Sequence, residues 1–319
     1  MVCNKFKQIY KLIRSYDEIV IARHIGPDPD AVSSQIALRD SIKETFPEKK
    51  VYAVGTGVNK FKYLGILDKI DESKLTNALL IVVDLPNISR IDGADLNIYK
   101  DVIKIDHHPF EDKMGKVELI DTKASSAAEI IALVILNTRL KLTKKVAENL
   151  FVGIVSDSNR FLLSSTKTLR IVAELIEKGK INIQEIYPKI YERPLNDVKF
   201  KAFLAENLIV TENGLAYIKI GTEDIEKYQV DASTASNMIN DFNYITGIKV
   251  WSFITYNQKA KQFKINIRSR GPVINTVANK YNGGGHMYAS GVKLEQESDV
   301  DNLIQDLDIA CKNYDGDLR

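Results

Sequence analysis

The sequence predicts an α/β protein with a mainly parallel sheet in its N-terminal domain and a smaller α+β domain after it. Strand-like and helix-like segments alternate along the first half of the chain, as in a parallel sheet with crossover helices. The apolar run ALLIVV at 78–83 is typical of a strand buried on both faces. In the second half, Asn213-Gly214 stands between two strand-like segments, which is a strong hairpin signal.

The first half of the chain alternates predicted strands and helices. The strands are predicted at 18–23, 78–83 and 101–105, and the helices at 31–46, 125–138 and 143–156. In parallel sheets, ligands bind outside the carboxyl ends of the strands. Residues directly after these strands are therefore the first candidates for a functional site.

A domain boundary is predicted near residue 190. It gives an N-terminal domain of 1–190 and a C-terminal domain of 191–319. The boundary lies in a charged, helical stretch at 167–204 that Pro194 interrupts. Beyond the hairpin, strands are predicted at 250–257 and 262–268, and helices near 273–281 and 298–313.

The composition excludes several classes of protein. The chain has 319 residues, of which 45% are hydrophobic, and is therefore not a disordered protein. Its 44 basic and 42 acidic residues nearly cancel, so we expect no binding of long nucleic acid through a polybasic surface. No apolar run approaches the roughly 20 residues of a membrane span. Cys3 and Cys311 form neither a metal motif nor a disulfide framework, and a signal-peptide core is lacking, which predicts a cytoplasmic protein.

Acidic residues and histidines are concentrated at the ends of predicted elements. The candidates are His24, Asp28, Asp30, Asp84, Asp106, His107, His108 and Asp157. Taken alone, several have simpler explanations, since Asp30 could cap the next helix, and Asp84 and Asp157 could merely end their elements. The adjacent imidazoles of His107 and His108 behind Asp106 are harder to explain by structure alone.

Taken together, these segments predict a metal site. The ends of parallel strands meet at one edge of the sheet, so the carboxylates would be crowded there. Like charges at short distance oppose folding unless cations compensate them. Imidazole and carboxylate ligands without thiolate suit Mn²⁺ or a related metal. Two such ions about 3.5–4 Å apart that share one carboxylate can hydrolyse phosphate esters.

The motifs resemble those of the DHH phosphoesterase superfamily. The matching segments are HIGPDPDA, the Asp after LLIVV, DHH and GIVSDSNRF. The stretch IRSRGPVINTVANKYNGGGHMYASG is similar to the DHH-associated domain of the branch that contains nanoRNases and phosphoadenosine-phosphate phosphatases. The resemblance extends from about residue 20 to residue 291.

The resemblance implies a role for each candidate residue. It assigns His24 and Asp28 to a first Mn²⁺ ion and Asp30, His107 and Asp157 to a second, with Asp84 shared by both ions. His108 would contact the substrate phosphate, and Asp106 would orient an imidazole. One departure concerns Pro29, which stands where this branch often has Gly between the two carboxylates. This form resembles members that cleave the linear dinucleotide derived from cyclic di-AMP, and it leaves the substrate preference open.

A second constellation, in the C-terminal domain, predicts a phosphate site. Gly283, Gly284 and Gly285 would let several backbone N–H groups approach an anion, and His286 adds a side-chain donor. Arg268 could form a bidentate pair with phosphate, and Arg160 is a further candidate for substrate binding. The alternative is that the glycine run is only a flexible turn.

The predicted function is hydrolysis of very short oligoribonucleotides or linear dinucleotides such as pApA to nucleoside 5′-monophosphates. The same site would convert 3′-phosphoadenosine 5′-phosphate to AMP. We expect a hydroxide activated by two Mn²⁺ ions to attack the phosphorus, in a cleft between the domains. By resemblance, a homodimer is plausible.

Three alternatives remain open on the sequence. Two are enzymes of the same superfamily, a cyclic di-AMP phosphodiesterase and a manganese pyrophosphatase. The third is a nucleotide-sensing protein that binds without catalysis. Candidate ligands are intact in every motif, which favours an enzyme over a sensor.

Overall fold

The structure is a computed structural model that describes residues 2–258 and 260–318, without the side chains of Val2, Cys3, Asn59 and Ala232. The chain divides into an N-terminal unit, residues 1–192, and a C-terminal unit, residues 193–319. Cys311 is buried and carries a free thiol, whereas the prediction for the Cys3 side chain lies outside the described residues. None of the described helices is both long and apolar enough to cross a membrane.

The N-terminal unit is built on a mainly parallel sheet, which confirms the predicted fold class. Its strands are β1 (Glu18–His24), β2 (Lys50–Ala53), β3 (Ala78–Val83), β4 (Ile91–Asp92), β5 (Asp101–Asp106) and β6 (Val117–Ile120). They follow the order β2-β1-β3-β5-β6 with parallel pairing, and β4 pairs antiparallel with the end of β1. Every residue of β3 is buried, as the apolar run predicted.

Helices cover this sheet and carry much of the core. They are α1 (Val2–Ser15), α2 (Pro29–Thr45), α3 (Ala127–Leu136), α4 (Lys144–Asp157), α5 (Thr166–Gly179) and α6 (Ile183–Tyr191). The sequence analysis did not anticipate α1. Its apolar residues Phe6, Ile9 and Ile13 have helical spacing and are buried in the same core as α2 and α4.

The strand order places three chain segments at one edge of the sheet. The chain passes from β1 to β2 on one side, and β3 then lies on the other side of β1. Such a switch point leaves a crevice at the carboxyl ends of the two central strands. His24 is the last residue of β1, Asp84 follows β3 directly, and Asp106 ends β5.

The C-terminal unit has a mixed sheet between two helical layers. Its elements are α7 (Leu195–Glu206), β7 (Ile209–Val210), β8 (Leu215–Ile220), α8 (Thr222–Tyr228), α9 (Ala232–Met238), β9 (Val250–Asn257), β10 (Gln262–Ser269), α10 (Asn275–Lys280), β11 (Gly284–His286), β12 (Ala289–Leu294) and α11 (Glu297–Lys312). The strand order is β11-β12-β10-β9-β8-β7, and among the described strands of this unit only β8 and β9 pair in parallel. The predicted hairpin at Asn213-Gly214 is present as β7 and β8.

The glycine run is not a flexible turn, contrary to the simpler of the two interpretations. Residues Gly284–His286 form the edge strand β11, which pairs antiparallel with β12. The sequence analysis missed β11 because glycine has a low strand propensity and the segment is short. The run is therefore held in a defined register on the sheet.

Candidate metal centre

His24 leads one group of candidate ligands. Its Nδ1 lies 3.0 Å from the backbone oxygen of Ile25, so this nitrogen can donate its proton there. The other ring nitrogen, Nε2, lies 3.7 Å from Oδ2 of Asp28 and 3.5 Å from Oδ2 of Asp84. Metal-bound histidines commonly use one nitrogen for the metal and anchor the other in this way. The imidazole is thus oriented for a cation held with the two carboxylates.

The Asp84 carboxylate lies between the imidazoles of His24 and His107. Its Oδ1 lies 3.3 Å from Nε2 of His107, while its Oδ2 faces His24. The side chain is 2% exposed, and within the described part of the chain Oδ1 has no hydrogen-bond partner. The backbone at Asp84 has a φ of 55°, and its N–H donates to the carbonyl of Ile105. A strained backbone and an unsatisfied buried oxygen are typical of a functional carboxylate.

Asp30, His107 and Asp157 form a further group. Nε2 of His107 lies 3.4 Å from Oδ2 of Asp157, the last residue of α4. The buried Asp30 carboxylate accepts hydrogen bonds from the backbone N–H groups of Ala127 and Ala128, at the start of α3. The alternative that Asp30 caps α2 is wrong, because the cap is Asp28, with Pro29 at the first helical position.

The donor atoms of these side chains fit divalent cations. Three sets have ligand atoms within 4.8 Å of one another, namely His24, Asp28 and Asp84; Asp84, His107 and His108; and Asp30, His107 and Asp157. Asp84 belongs to two sets, and its unsatisfied Oδ1 is the atom that a cation would satisfy. The imidazole and carboxylate donors suit a hard-to-borderline metal.

His108 has a different environment from His107. Its Nδ1 donates to Oδ1 of Asp106 at 2.8 Å, and Asp106 is fully buried. Oδ1 also accepts the His108 backbone N–H. This carboxylate fixes the orientation of the imidazole and leaves its Nε2 available to a ligand.

Two cations near the site were missed by the sequence analysis. Lys104, buried in β5, donates to the carbonyl of Pro86 at 2.8 Å and lies 3.7 Å from Oδ2 of Asp106. Arg90 has a guanidinium nitrogen 3.1 Å from Nδ1 of His24. A lone lysine within the apolar strand before Asp106 was a usable signal. Arg90 had none, since the loop around it has no periodic pattern.

Arg160 contacts a ring rather than the acidic residues. Its guanidinium stacks 4.7 Å from the centre of the Tyr191 ring. Asn159, Arg160 and Phe161 all have positive φ angles, from 49° to 71°, directly after α4. The chain therefore reverses sharply just beyond Asp157, and the role predicted for Arg160 in substrate binding stays a prediction.

The predicted phosphate-binding residues of the C-terminal unit share one region of its sheet. Arg268 of β10 is opposite Ala289 of β12, which is opposite His286 of β11. Opposed residues of antiparallel strands lie on the same face of the sheet, so only the small side chain of Ala289 lies between Arg268 and His286. The half-buried Arg268 donates to Oδ1 of Asn240, and its pKa is lowered by burial. It has no carboxylate partner among the described residues, as expected of a side chain kept for an anion.

Comparison with known proteins identifies the family. The DHH family N-terminal domain model matches residues 18–154, and the DHHA1 domain model matches residues 212–313. The bifunctional oligoribonuclease and PAP phosphatase NrnA of Bacillus subtilis (strain 168) is 39% identical over 313 residues, 97% of this chain and 99% of its own. The chain belongs to the DHH family.

Two further proteins are similar over nearly the whole chain. A probable bifunctional oligoribonuclease and PAP phosphatase NrnA of Streptococcus mutans is 36% identical and covers 95% of this chain and 97% of its own. A crystal structure of an exopolyphosphatase-related protein from Bacteroides fragilis has a TM-score of 0.78 at 20% identity, covering 97% of this chain and 98% of that one. The structural likeness confirms the fold. As a DHH phosphoesterase, the protein is a metal-dependent hydrolase of phosphoester bonds, as the sequence predicted.

In the metal-free DHH site, the carboxylates raise the pKa of two imidazoles. Burial alone would lower the pKa of His24, but the neighbouring carboxylates of Asp28 and Asp84 raise it to about 10. The pKa of His107 is raised to about 9, because Asp84, Asp30 and Asp157 outweigh its burial. Burial and the charge of Asp84 raise the pKa of Asp157 to about 6.

Metal binding by this DHH site should release protons. The surrounding carboxylates raise the pKa of His24 to about 10 and that of His107 to about 9, so we expect both imidazoles to carry a proton in the metal-free protein at pH 7. A metal binds the neutral imidazole and the ionised carboxylate, so loading should release both imidazole protons and any proton on Asp30, whose pKa is raised well above its usual range by burial, and the affinity should rise as the pH increases. Calorimetry with Mn²⁺ in buffers of different ionisation enthalpy measures this release. Binding without proton release would contradict the assignment of these histidines.

Replacing Lys104 with methionine should destabilise the DHH domain. The change leaves the fully buried Asp106 carboxylate without its neighbouring cation. Breaking a buried ion pair in this way costs roughly 3–5 kcal/mol. Urea unfolding of Lys104→Met measures the loss, and the double variant with Asp106→Asn should recover part of it. A loss below about 1 kcal/mol would mean that the pair contributes little.

Proposed function

We propose that this protein hydrolyses linear dinucleotides such as pApA and other very short oligoribonucleotides to nucleoside 5′-monophosphates, and 3′-phosphoadenosine 5′-phosphate to AMP. The observation that carries the proposal is the position of Asp84 between two imidazole and carboxylate sets. The relatives named bifunctional oligoribonuclease and PAP phosphatase support this substrate class.

The proposed ligands are His24, Asp28 and Asp84 for one Mn²⁺ ion and Asp84, Asp30, His107 and Asp157 for a second. When bound, such ions lower the pKa of water and neutralise charge on the phosphoryl group. The preference for manganese is part of the proposal, and it is supported by the mixed donor set. A homodimer and a cytoplasmic location also remain predictions from the sequence.

The chain's own residues orient and protonate the substrate in this proposal. Since the Nδ1 proton of His108 is held by Asp106, Nε2 faces a ligand, and in the protonated ring it donates to a phosphoryl or leaving oxygen. In the DHHA1 domain, Arg268, His286 and the amides of the glycine run would hold a terminal phosphate. We call these residues the terminal-phosphate site. Binding a terminal phosphate favours short substrates, since long chains offer few ends.

A turnover panel tests the proposal. With Mn²⁺ present, the protein is compared on pApA, longer oligoadenylates, 3′-phosphoadenosine 5′-phosphate, cyclic di-AMP and pyrophosphate. We expect the highest kcat/KM on pApA, and release of phosphate from 3′-phosphoadenosine 5′-phosphate. Preference for cyclic di-AMP or pyrophosphate would favour the corresponding alternative. Binding of nucleotides without turnover of any would favour a sensor.

A further inference from the structure

A cavity of about 320 Å³ lies on the sheet of the DHHA1 domain. Its lining includes Lys264, Asn266, Asn282, Gly284, Gly291 and Lys293. We call it the lysine cavity. It does not include Arg268 or His286, and it adjoins the terminal-phosphate site on the same strands, with which it shares Gly283 and Gly284.

Two lysines of the lysine cavity are placed against each other. Lys264 of β10 is directly opposite Lys293 of β12. Like charges that are directly opposed across antiparallel strands destabilise the sheet. Among the described residues neither lysine has an ion-pair partner, and the described lining contains no acidic side chain. An anion bound between them would remove the repulsion.

Two glycines of this region, Gly283 and Gly285, have no room for a side chain. A Cβ at Gly283 would lie 2.5 Å from the carbonyl oxygen of Gly291, and a Cβ at Gly285 would lie 2.5 Å from that of Ala289. These positions need glycine for packing.

Gly284 and Gly291, which are opposite each other, do not need to be glycine for packing. A Cβ would come no closer than 3.9 Å to another group at Gly284 and 3.5 Å at Gly291, both ordinary contacts. Glycine inside a strand weakens the sheet and often marks a place where a ligand approaches the backbone. Because Gly284 and Gly291 have no side chain, the backbone at the floor of the lysine cavity stays accessible to a ligand.

We propose that the lysine cavity binds a second phosphate, together with its nucleotide, of an oligonucleotide whose end is held at the terminal-phosphate site. This inference rests on the proposed function. Lys264 lies four residues from Arg268 on the same strand, a separation of about 13 Å. One phosphodiester repeat does not span this distance. The ligand is therefore an oligonucleotide longer than a dinucleotide.

Length-dependent binding tests the inference. Fluorescence anisotropy with labelled pentaadenylate and labelled pApA, in chelator to prevent hydrolysis, gives a dissociation constant for each probe. In the double variant Lys264→Ala and Lys293→Ala, the ratio of the pentaadenylate constant to the pApA constant should rise about tenfold. The slope of log affinity against log salt for pentaadenylate should become shallower by about 0.7, since one phosphate contact is lost.

A matched control carries the same change of charge. The exposed Lys199 and Lys312 belong to α7 and α11 and do not line the cavity. Their double alanine variant should leave both the ratio and the salt slope unchanged. The inference would be overturned if the cavity variant lost no affinity for pentaadenylate, or if it lost equal affinity for both probes. It would also be overturned if the wild type did not bind pentaadenylate measurably.

A further variant separates binding from folding. Gly291→Val adds a residue with high strand propensity, so the melting temperature should be equal or higher, while pentaadenylate affinity should fall about tenfold. Unchanged affinity in this folded variant would overturn the inference.

If turnover fails in the panel but these length-dependent losses occur, the proposed activity is wrong and the binding site stands. If turnover succeeds without length-dependent losses, only the lysine cavity is rejected.

Discussion

Replacing Asp84 with asparagine should lower kcat on pApA and on 3′-phosphoadenosine 5′-phosphate by roughly a thousandfold, or about 4 kcal/mol of activation free energy. The reason is that one carboxylate faces both sides of the site, with Oδ1 toward His107 and Oδ2 toward His24. Asparagine keeps the size of the side chain but removes its charge and one acceptor. Both proposed metal positions therefore lose a ligand at once.

Steady-state kinetics and metal analysis of Asp84→Asn measure this effect. Glu48→Gln is a matched control, because Glu48 is an exposed carboxylate of the same domain with no contact to the site. The control should behave as the wild type. If Asp84→Asn retains more than about a tenth of the wild-type kcat, the proposed metal centre is wrong.

Removing the metals should abolish turnover and lower the melting temperature. A ligand that binds only the folded state stabilises it by about 2.7 kcal/mol when its concentration is a hundred times its dissociation constant. Two ions would contribute about twice that. For a domain of this size, 1 kcal/mol corresponds to about 2–4 °C, so chelation should lower the melting temperature by roughly 10–20 °C.

Calorimetric scans with Mn²⁺ and with chelator, at verified metal content, measure the shift. Asp84→Asn serves as the comparison, since a site that has lost its shared carboxylate should gain much less from added Mn²⁺. A wild-type melting curve that is identical in both conditions would contradict the grouping of these carboxylates.

The parallel sheet and the convergence of the candidate ligands were predictable from the sequence. An uninterrupted apolar run such as ALLIVV identifies a buried strand, and the candidate metal ligand Asp84 follows it directly in the chain. His24, Asp84 and Asp106 all stand at strand ends, where the topology of parallel sheets brings them together.

Other features depend on contacts that no local pattern encodes. Arg90 approaches His24 through tertiary structure alone, and β4 is too short to predict. The strand character of Gly284 arises from pairing with β12, against the propensity of glycine. The difference between glycines that packing requires and those it does not also appears only in three dimensions.

The most direct test of the account is a crystal structure of the Mn²⁺-loaded protein with anomalous diffraction data. The account predicts two manganese peaks in the N-terminal unit. One should be bound by His24, Asp28 and Asp84, and the other by Asp30, His107 and Asp157 with Asp84 shared between them. A single peak, or peaks that leave Asp84 without a metal contact, would contradict it.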